Sequence, residues 1–369
     1  MRANRTSFYN VAFSSLSLPV LDNKSFFNSL HNQIYFKLFY FFPKLFFRKL
    51  LFWLFEFEFI SFSVNVHFPK SFSEVEKKFI RTNIQSPLIR VLESKKKLLN
   101  FSNPEFSILL DYEKEKVFLN PSSVYIYGKY VKLSRDLAQT FHFCPKCKGR
   151  GCSNCVDGKI SASSVEEILY PLFKDFFCAK QFIFHGAGRE DVDVLMLNSG
   201  RDFIAEVLFP KIRGVVLSDL NSKINFSNKD VRIFDLKYCS KSDVSLIKNF
   251  DGFKIYSALI EADEGNTFSK SDIFDLNNLI DKKLYVAQKT PLRVLKRRSD
   301  MFRDKFVIIT KINYISDKHF GLELKTSSGT YVKEFISGDN GRTNPSISLY
   351  VGPCFCKFLD VLFVESALS

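Results

Sequence analysis

The chain has 369 residues, with 53 Lys and Arg against 39 Asp and Glu, a net charge of +14 and an apolar fraction of 46%. That length allows two or three domains with sizeable cores, and a globular chain this basic calls for a polyanionic partner. Eight cysteines in a chain of this size, with no evident signal peptide, exclude a secreted disulfide scaffold and point to a reducing compartment, cytoplasmic or nuclear. Phenylalanine is abundant (43) and glycine scarce (15). That bias reads as AT-rich coding, so a phenylalanine is not by itself a base-stacking residue.

Residues 1–70 carry no recognisable motif. The Phe-rich stretch from Tyr35 to Val64 is interrupted by Lys37, Pro43, Lys44, Arg48, Lys49, Glu56 and Glu58. No uninterrupted run reaches the roughly 18–20 apolar residues that a spanning helix needs, so a buried or interfacial helix pair is expected and no membrane span. From Ser71 to Leu99 the apolar spacing is helical. Residues 105–112 and 116–119 alternate like paired strands, and Val124 to Arg135 runs from a strand through Gly128 into a basic segment. Ser161 to Ser164 precede Glu166 and Glu167 as a helix start, with the helix over 166–180. Beyond 181, strands are predicted at 203–209, 231–239, 254–262, 305–315, 319–326 and 329–336, and helices from Asp219 to Ser227 and from Ser269 to Leu284. The reading is α+β, with a divergent region 1–70, a smaller α/β accessory region 71–160 and a larger domain 161–369 on a mixed, mostly antiparallel sheet.

Two Cys-x-x-Cys pairs, Cys144 with Cys147 and Cys152 with Cys155, are separated by a short connection carrying Gly149 and Gly151. Each pair can present two thiolates to one zinc ion, and four cysteines close its coordination shell, so the expected zinc is structural. Lys146, Lys148 and Arg150 decorate the cluster and suit a phosphate-facing knuckle. The cluster is also similar to one zinc module of the DnaJ chaperones, which keeps a zinc-dependent chaperone or adaptor as a rival reading.

Three further segments carry chemistry. In Gly188-Arg189-Glu190-Asp191-Val192-Asp193, alternation places Asp191 and Asp193 on one side. An acidic loop alone is an ordinary solvated turn. It is followed by Gln288-Lys-Thr-Pro-Leu-Arg-Val-Leu-Lys-Arg-Arg298 and by Gly329-Thr-Tyr-Val-Lys-Glu-Phe335. In this order, with the cysteine cluster ahead of them, they resemble the archaeal and eukaryotic tRNA pseudouridine-54/55 synthase family over roughly residues 120–369. The resemblance implies a pseudouridine synthase catalytic domain that isomerises uridine to pseudouridine in the TΨC arm of tRNA, at position 55 and also 54, without a catalytic cofactor.

By the same resemblance, Asp191 is the nucleophile, Tyr256 stacks on the flipped uracil with its hydroxyl near the departing C5 proton, and Lys333 pairs with the aspartate. A nearby cation favours the ionised, nucleophilic carboxylate. Leu349, in preference to Ile347, supplies the apolar wall under the base. Arg189 follows as a residue that fills the gap left by the flipped base. Arg293, Lys296, Arg297, Arg298 and Arg342 are the expected phosphate contacts. Residues 71–140 resemble the THUMP-containing accessory domain of such enzymes, the partner is tRNA, and a monomer is expected. His185 and His319 are read as structural. A non-catalytic zinc-containing tRNA-binding protein on the same scaffold is the alternative.

Overall fold

The computed structural model describes residues 9–12 and 54–368, apart from 115, 145, 154, 296 and 297. The chain divides into two compact units. The first takes residues 1–124 with 173–182 and 207–215. It contains β1 (Tyr9–Ala12), β2 (Ser61–His67), α1 (Glu74–Ile80), α2 (Ser86–Ser94), β3 (Leu98–Leu99), β4 (Phe106–Asp111) and β5 (Lys116–Pro121). The sheet order is β1-β5-β4-β2-β3, with β4 and β5 an antiparallel hairpin and β2 parallel to β4.

A parallel pair needs a long crossover, and α1 and α2 supply it. Ser73 starts α1 with a capping box, its hydroxyl accepting from the Glu76 N–H while the Glu76 carboxylate accepts from the Ser73 N–H. Pro87 cannot donate to the ladder, and the joint between the two helices widens into a π-turn over Arg81–Gln85. Ile80, Ile84, Leu88 and Leu92 recur every fourth residue and pack on Phe57, Phe59, Phe62, Val64, Phe106 and Ile108.

The second unit takes residues 125–172, 183–206 and 216–369. Continuing along the chain, the elements are β6 (Val124–Lys132), β7 (Leu137–Ala138), β8 (Ser163–Ser164), α3 (Val165–Phe176), β9 (Gln181–Gly186), β10 (Leu195–Leu208), α4 (Leu217–Ser227), β11 (Val231–Cys239), α5 (Lys241–Asn249) and β12 (Phe253–Ala262). They are followed by α6 (Lys270–Leu276), β13 (Lys283–Lys289), β14 (Phe302–Tyr314), β15 (His319–Ser327), α7 (Val332–Ser337), β16 (Thr343–Asn344), α8 (Ser348–Val351) and β17 (Cys354–Val364). The ten-stranded sheet has the order β11-β6-β10-β17-β12-β15-β14-β13-β16, with β9 beside β10. It is mixed and mostly antiparallel, as expected for an α+β chain, with β10 and β17 parallel. The cysteine cluster belongs to this second unit, because β6 already pairs with β11 inside the large sheet.

Register positions the site. Met196 faces Val361 across β10 and β17, and Val361 faces Tyr256 across β17 and β12. The start of β10, with the acidic loop just before it, is thereby brought within two strands of Tyr256.

Three sequence-based expectations need correction. Residues 332–337 form α7, not a strand; the strand propensity of Val332, Phe335 and Ile336 is overridden because the three are buried in helical spacing and Gly338, in the left-handed region, ends the helix. The helix expected from Ser269 to Leu284 stops at Leu276, and residues 283–289 become β13, whose alternating exposure marks a sheet with one solvated face. Of the helix pair expected between Tyr35 and Val64, residues 35–53 lie outside the described residues, and Ser61 onward is strand β2. Among the described residues no helix is long and apolar enough to cross a membrane.

Candidate active site

The loop 188–194 is held from below. Gly188 adopts φ +83°, and a Cβ there would come within 3.0 Å of the Arg201 guanidinium, so the tight turn needs glycine. Beyond it the side chains alternate: Glu190 is buried, while Asp191 and Asp193 face solvent. The Glu190 carboxylate lies 2.9 Å from Arg201 Nε and accepts from the Tyr130 hydroxyl at 2.8 Å. The Tyr130 hydroxyl also accepts from Gln139 Nε2, which donates to the Gly188 carbonyl as well. Burial, reinforced by Glu190, pushes the Tyr130 hydroxyl well above the usual phenol range.

Lys132 pins the same loop by its backbone. Fully buried, its ammonium donates to the carbonyls of Val192 (2.7 Å) and Leu137 (2.8 Å), with the Asp191 carbonyl at 3.4 Å. Burial pushes its pKa down to about 8, against the opposing pull of Glu190 and Asp193. The unfolded chain, near the ordinary 10.5, therefore binds this proton more tightly. The resulting cost to folding is complete below pH 8 and is relieved as pH rises toward 10.5, a gain of about 3 kcal/mol. Urea unfolding of wild type and Lys132→Met at pH 7 and pH 10 is expected to show wild type gaining stability relative to the variant. A parallel pH dependence in both proteins would contradict this.

Two cations meet the acidic pair. Arg293 Nη1 lies 3.0 Å from Asp191 Oδ2 and Lys333 Nζ lies 3.5 Å from the same oxygen. Lys333 sits closer to Asp193, at 2.7 and 2.9 Å from its two oxygens. Burial would raise the Asp193 carboxyl, but the Lys333 hydrogen bond and charge outweigh it and hold it below the usual range. Tyr256, on β12, is half-buried near the Glu190 and Arg201 pair, and burial raises its hydroxyl. Lys254, two residues earlier on the same face, is pushed down to about 8 by burial and by Arg201.

Asp191, Lys333 and Arg293 are thus brought into contact, with Tyr256 beside the charges beneath their loop. Arg293 is found on the carboxylate rather than free on the surface. Arg189 and Arg298 are exposed, Arg298 donating to the Tyr331 hydroxyl at 3.0 Å. Arg342 is committed within the fold, to the Thr290 carbonyl at 2.8 Å and to Asp300. Lys296 and Arg297 lie outside the described residues. Leu349 is 66% exposed and Ile347 is buried. Sequence reasoning missed the supporting groups: Tyr130, Lys132, Arg201 and Glu334. A lysine at a buried register position of β6 is the one signal that alternation could have offered.

The four cysteines lie in one cluster, with all Sγ atoms within 4.8 Å of one another. Cys144 and Cys152 are 3.8 Å apart, Cys147 and Cys155 3.7 Å, and Cys152 and Cys155 3.6 Å. Thiolates bound tetrahedrally to one zinc stand roughly 3.8 Å apart, so donor set and spacing fit that ion. Gly149, at φ +93°, makes the turn between the pairs.

A family model described as "Pus10, C-terminal" matches residues 125–365. A protein of Methanocaldococcus jannaschii named "tRNA pseudouridine synthase Pus10" is 35% identical over 320 residues, covering 84% of this chain and 70% of the relative. One of the same name from Korarchaeum cryptofilum is 39% identical over 266 residues, 71% of this chain and 70% of the relative. One from Archaeoglobus fulgidus is 35% identical over 274 residues, covering 74% and 75%. Among solved structures, a chain of one titled "Crystal Structure of a Cbf5-Nop10-Gar1 Complex" overlaps at a TM-score of 0.31 and 12% identity, over 63% of this chain and 57% of that one, too loosely to assign anything. With the model matching the large sheet and its loops from end to end, and with such identity over most of its length, the chain belongs to the Pus10 family.

Proposed function

We propose that the chain is a tRNA pseudouridine synthase, an isomerase that converts uridine to pseudouridine with Asp191 as nucleophile. The observation that carries this reading is the clamped carboxylate: Asp191 faces solvent from a loop pinned by Lys132 and Glu190, with Arg293 at 3.0 Å and Lys333 at 3.5 Å, in a chain whose relatives are named for this activity. The target uridine is flipped out of its stack toward the carboxylate. Asp191 attacks the ribose or the base, and the bond between C1′ and N1 breaks. The uracil turns, C1′ bonds to C5, the bond to Asp191 breaks and frees the carboxylate, C5 loses its proton and N1 gains one. Nothing is oxidised or reduced.

Tyr256 stacks on the uracil in this reading, and the exposed Leu349 closes over its apolar face. Arg189 enters the gap left in the stack. Lys296, Arg297 and Arg298 take phosphates from the loop that carries Arg293, with Arg342 shaping that loop through Thr290 and Asp300. The modified positions are 55 and 54 of the TΨC arm. The part of the accessory region that lies in the first unit, residues 71–124, acts as a THUMP-like region that grips the tRNA, and the enzyme works as a monomer.

The test is incubation of purified protein with unmodified tRNA transcript, followed by carbodiimide mapping. Pseudouridine at 55, or at 54 and 55, is the expected product. Salt-sensitive tRNA binding with no pseudouridine anywhere would instead favour a non-catalytic scaffold.

Cys144, Cys147, Cys152 and Cys155 hold a structural zinc in this proposal, with no part in the chemistry. Elemental analysis is expected to find one zinc per chain in wild type and none in Cys144→Ser, with a lower melting temperature in the variant. Wild-type protein purified without chelators and free of zinc would refute it.

A further inference from the structure

We propose that Glu334 is a positioning residue, holding Arg293 in the one orientation that presents its guanidinium to Asp191; this rests on the pseudouridine synthase reading above. Glu334 is a carboxylate only 5% exposed, on α7 immediately after Lys333. Its Oε1 accepts from Arg293 Nε at 2.7 Å, and its Oε2 has no partner among the described residues. Burying a carboxylate with a single partner is costly. An apolar side chain would pack α7 equally well, so the residue is explained by what it holds rather than by stability.

What it holds is a guanidinium used from two sides. Nε is engaged by Glu334, which turns Nη1 toward Asp191 at 3.0 Å. Burial acts to lower the pKa of Arg293, but Glu334 and Asp191 together raise it. Arg293 sits on a single helical turn, Leu292–Val294, whose own N–H at Leu292 donates to Asp339 at 3.1 Å. Consecutive residues of α7 therefore serve both cations at the acidic loop: Lys333 reaches Asp193 and Asp191 directly, and Glu334 reaches Asp191 through Arg293. Arg293 keeps 42% of its side chain exposed, but its Nε and Nη1 are both engaged by carboxylates, unlike a cation left to serve a phosphate alone. The planar fork suits this arrangement, because Nε and Nη1 are fixed relative to each other and engaging Nε with Glu334 sets where Nη1 points.

The experiment is single- and multiple-turnover kinetics on a tRNA transcript with wild type, Glu334→Gln, Arg293→Lys and the double variant. Melting curves serve as the check on folding. Glutamine keeps the shape and a hydrogen-bond acceptor but removes the charge. The expected result is a kcat about ten- to a hundredfold lower in Glu334→Gln and in Arg293→Lys, with little change in KM. The double variant is expected to lose no more than the worse single one, because both act through one contact. Raised KM with unchanged kcat in Arg293→Lys would mark a phosphate contact and overturn the proposal. So would wild-type kcat in folded Glu334→Gln. An active wild type with either of those outcomes overturns only the positioning role, whereas a wild type that makes no pseudouridine overturns the reading beneath it as well.

Discussion

Asparagine at position 191 is expected to remove pseudouridine formation by a factor on the order of 10⁴ or more, while asparagine at 193 slows it about tenfold. The two carboxylates are close in sequence, face the same side and share Lys333, which is nearer to Asp193. Distance to the lysine alone would pick Asp193. Asp191 has in addition the contact with Arg293, which Asp193 lacks among the ion pairs of the described residues. An amide keeps the size of the side chain and removes the nucleophilic oxygen, so the loss at 191 is chemical. At 193 the amide releases Lys333 toward Asp191, leaving two cations on the remaining carboxylate and a modest loss of alignment. Single-turnover assays on a tRNA transcript separate the two effects from product release. If Asp193→Asn proves the silent enzyme and Asp191→Asn remains active, the nucleophile has been assigned to the wrong residue.

Glu190→Ala is expected to destabilise the second unit by about 3–5 kcal/mol. Glu190 and Arg201 have side chains only 2% and 1% exposed, 2.9 Å apart. Removing the carboxylate leaves a guanidinium without its counter-charge in the interior and deprives the Tyr130 hydroxyl of its acceptor. The Arg201 guanidinium also donates to the Ala187 carbonyl at 2.9 Å, just ahead of the loop carrying Asp191, so activity should fall along with stability. Urea unfolding measures the loss, and a double variant Glu190→Ala, Arg201→Met tests its cause, since removing both charges should recover part of it. A loss below about 1 kcal/mol in Glu190→Ala would mean that water reaches the guanidinium and the pair contributes little to stability.

The sequence by itself determined what depends on near neighbours. The cysteine quartet is legible because ligand spacing is local, and the four sulfurs do lie within 4.8 Å of one another. The 106–121 hairpin and the helical stripe Ile80, Ile84, Leu88, Leu92 follow from periods of two and 3.6 residues. The order of the three motifs was enough to suggest the family. The tertiary structure decided the partnerships. Lys333 and Asp193 are 140 residues apart, and their contact depends on α7 being a helix where the composition reads as a strand. Arg293 looks like one more basic side chain until Glu334, 41 residues later, orients it onto Asp191. Glu190 reads as part of a solvated acidic run until alternation across a pinned turn buries it against Arg201. Periodicity says which side a residue faces. What stands on that side is set by strand register and helix packing, and those are fixed only when the whole sheet is assembled.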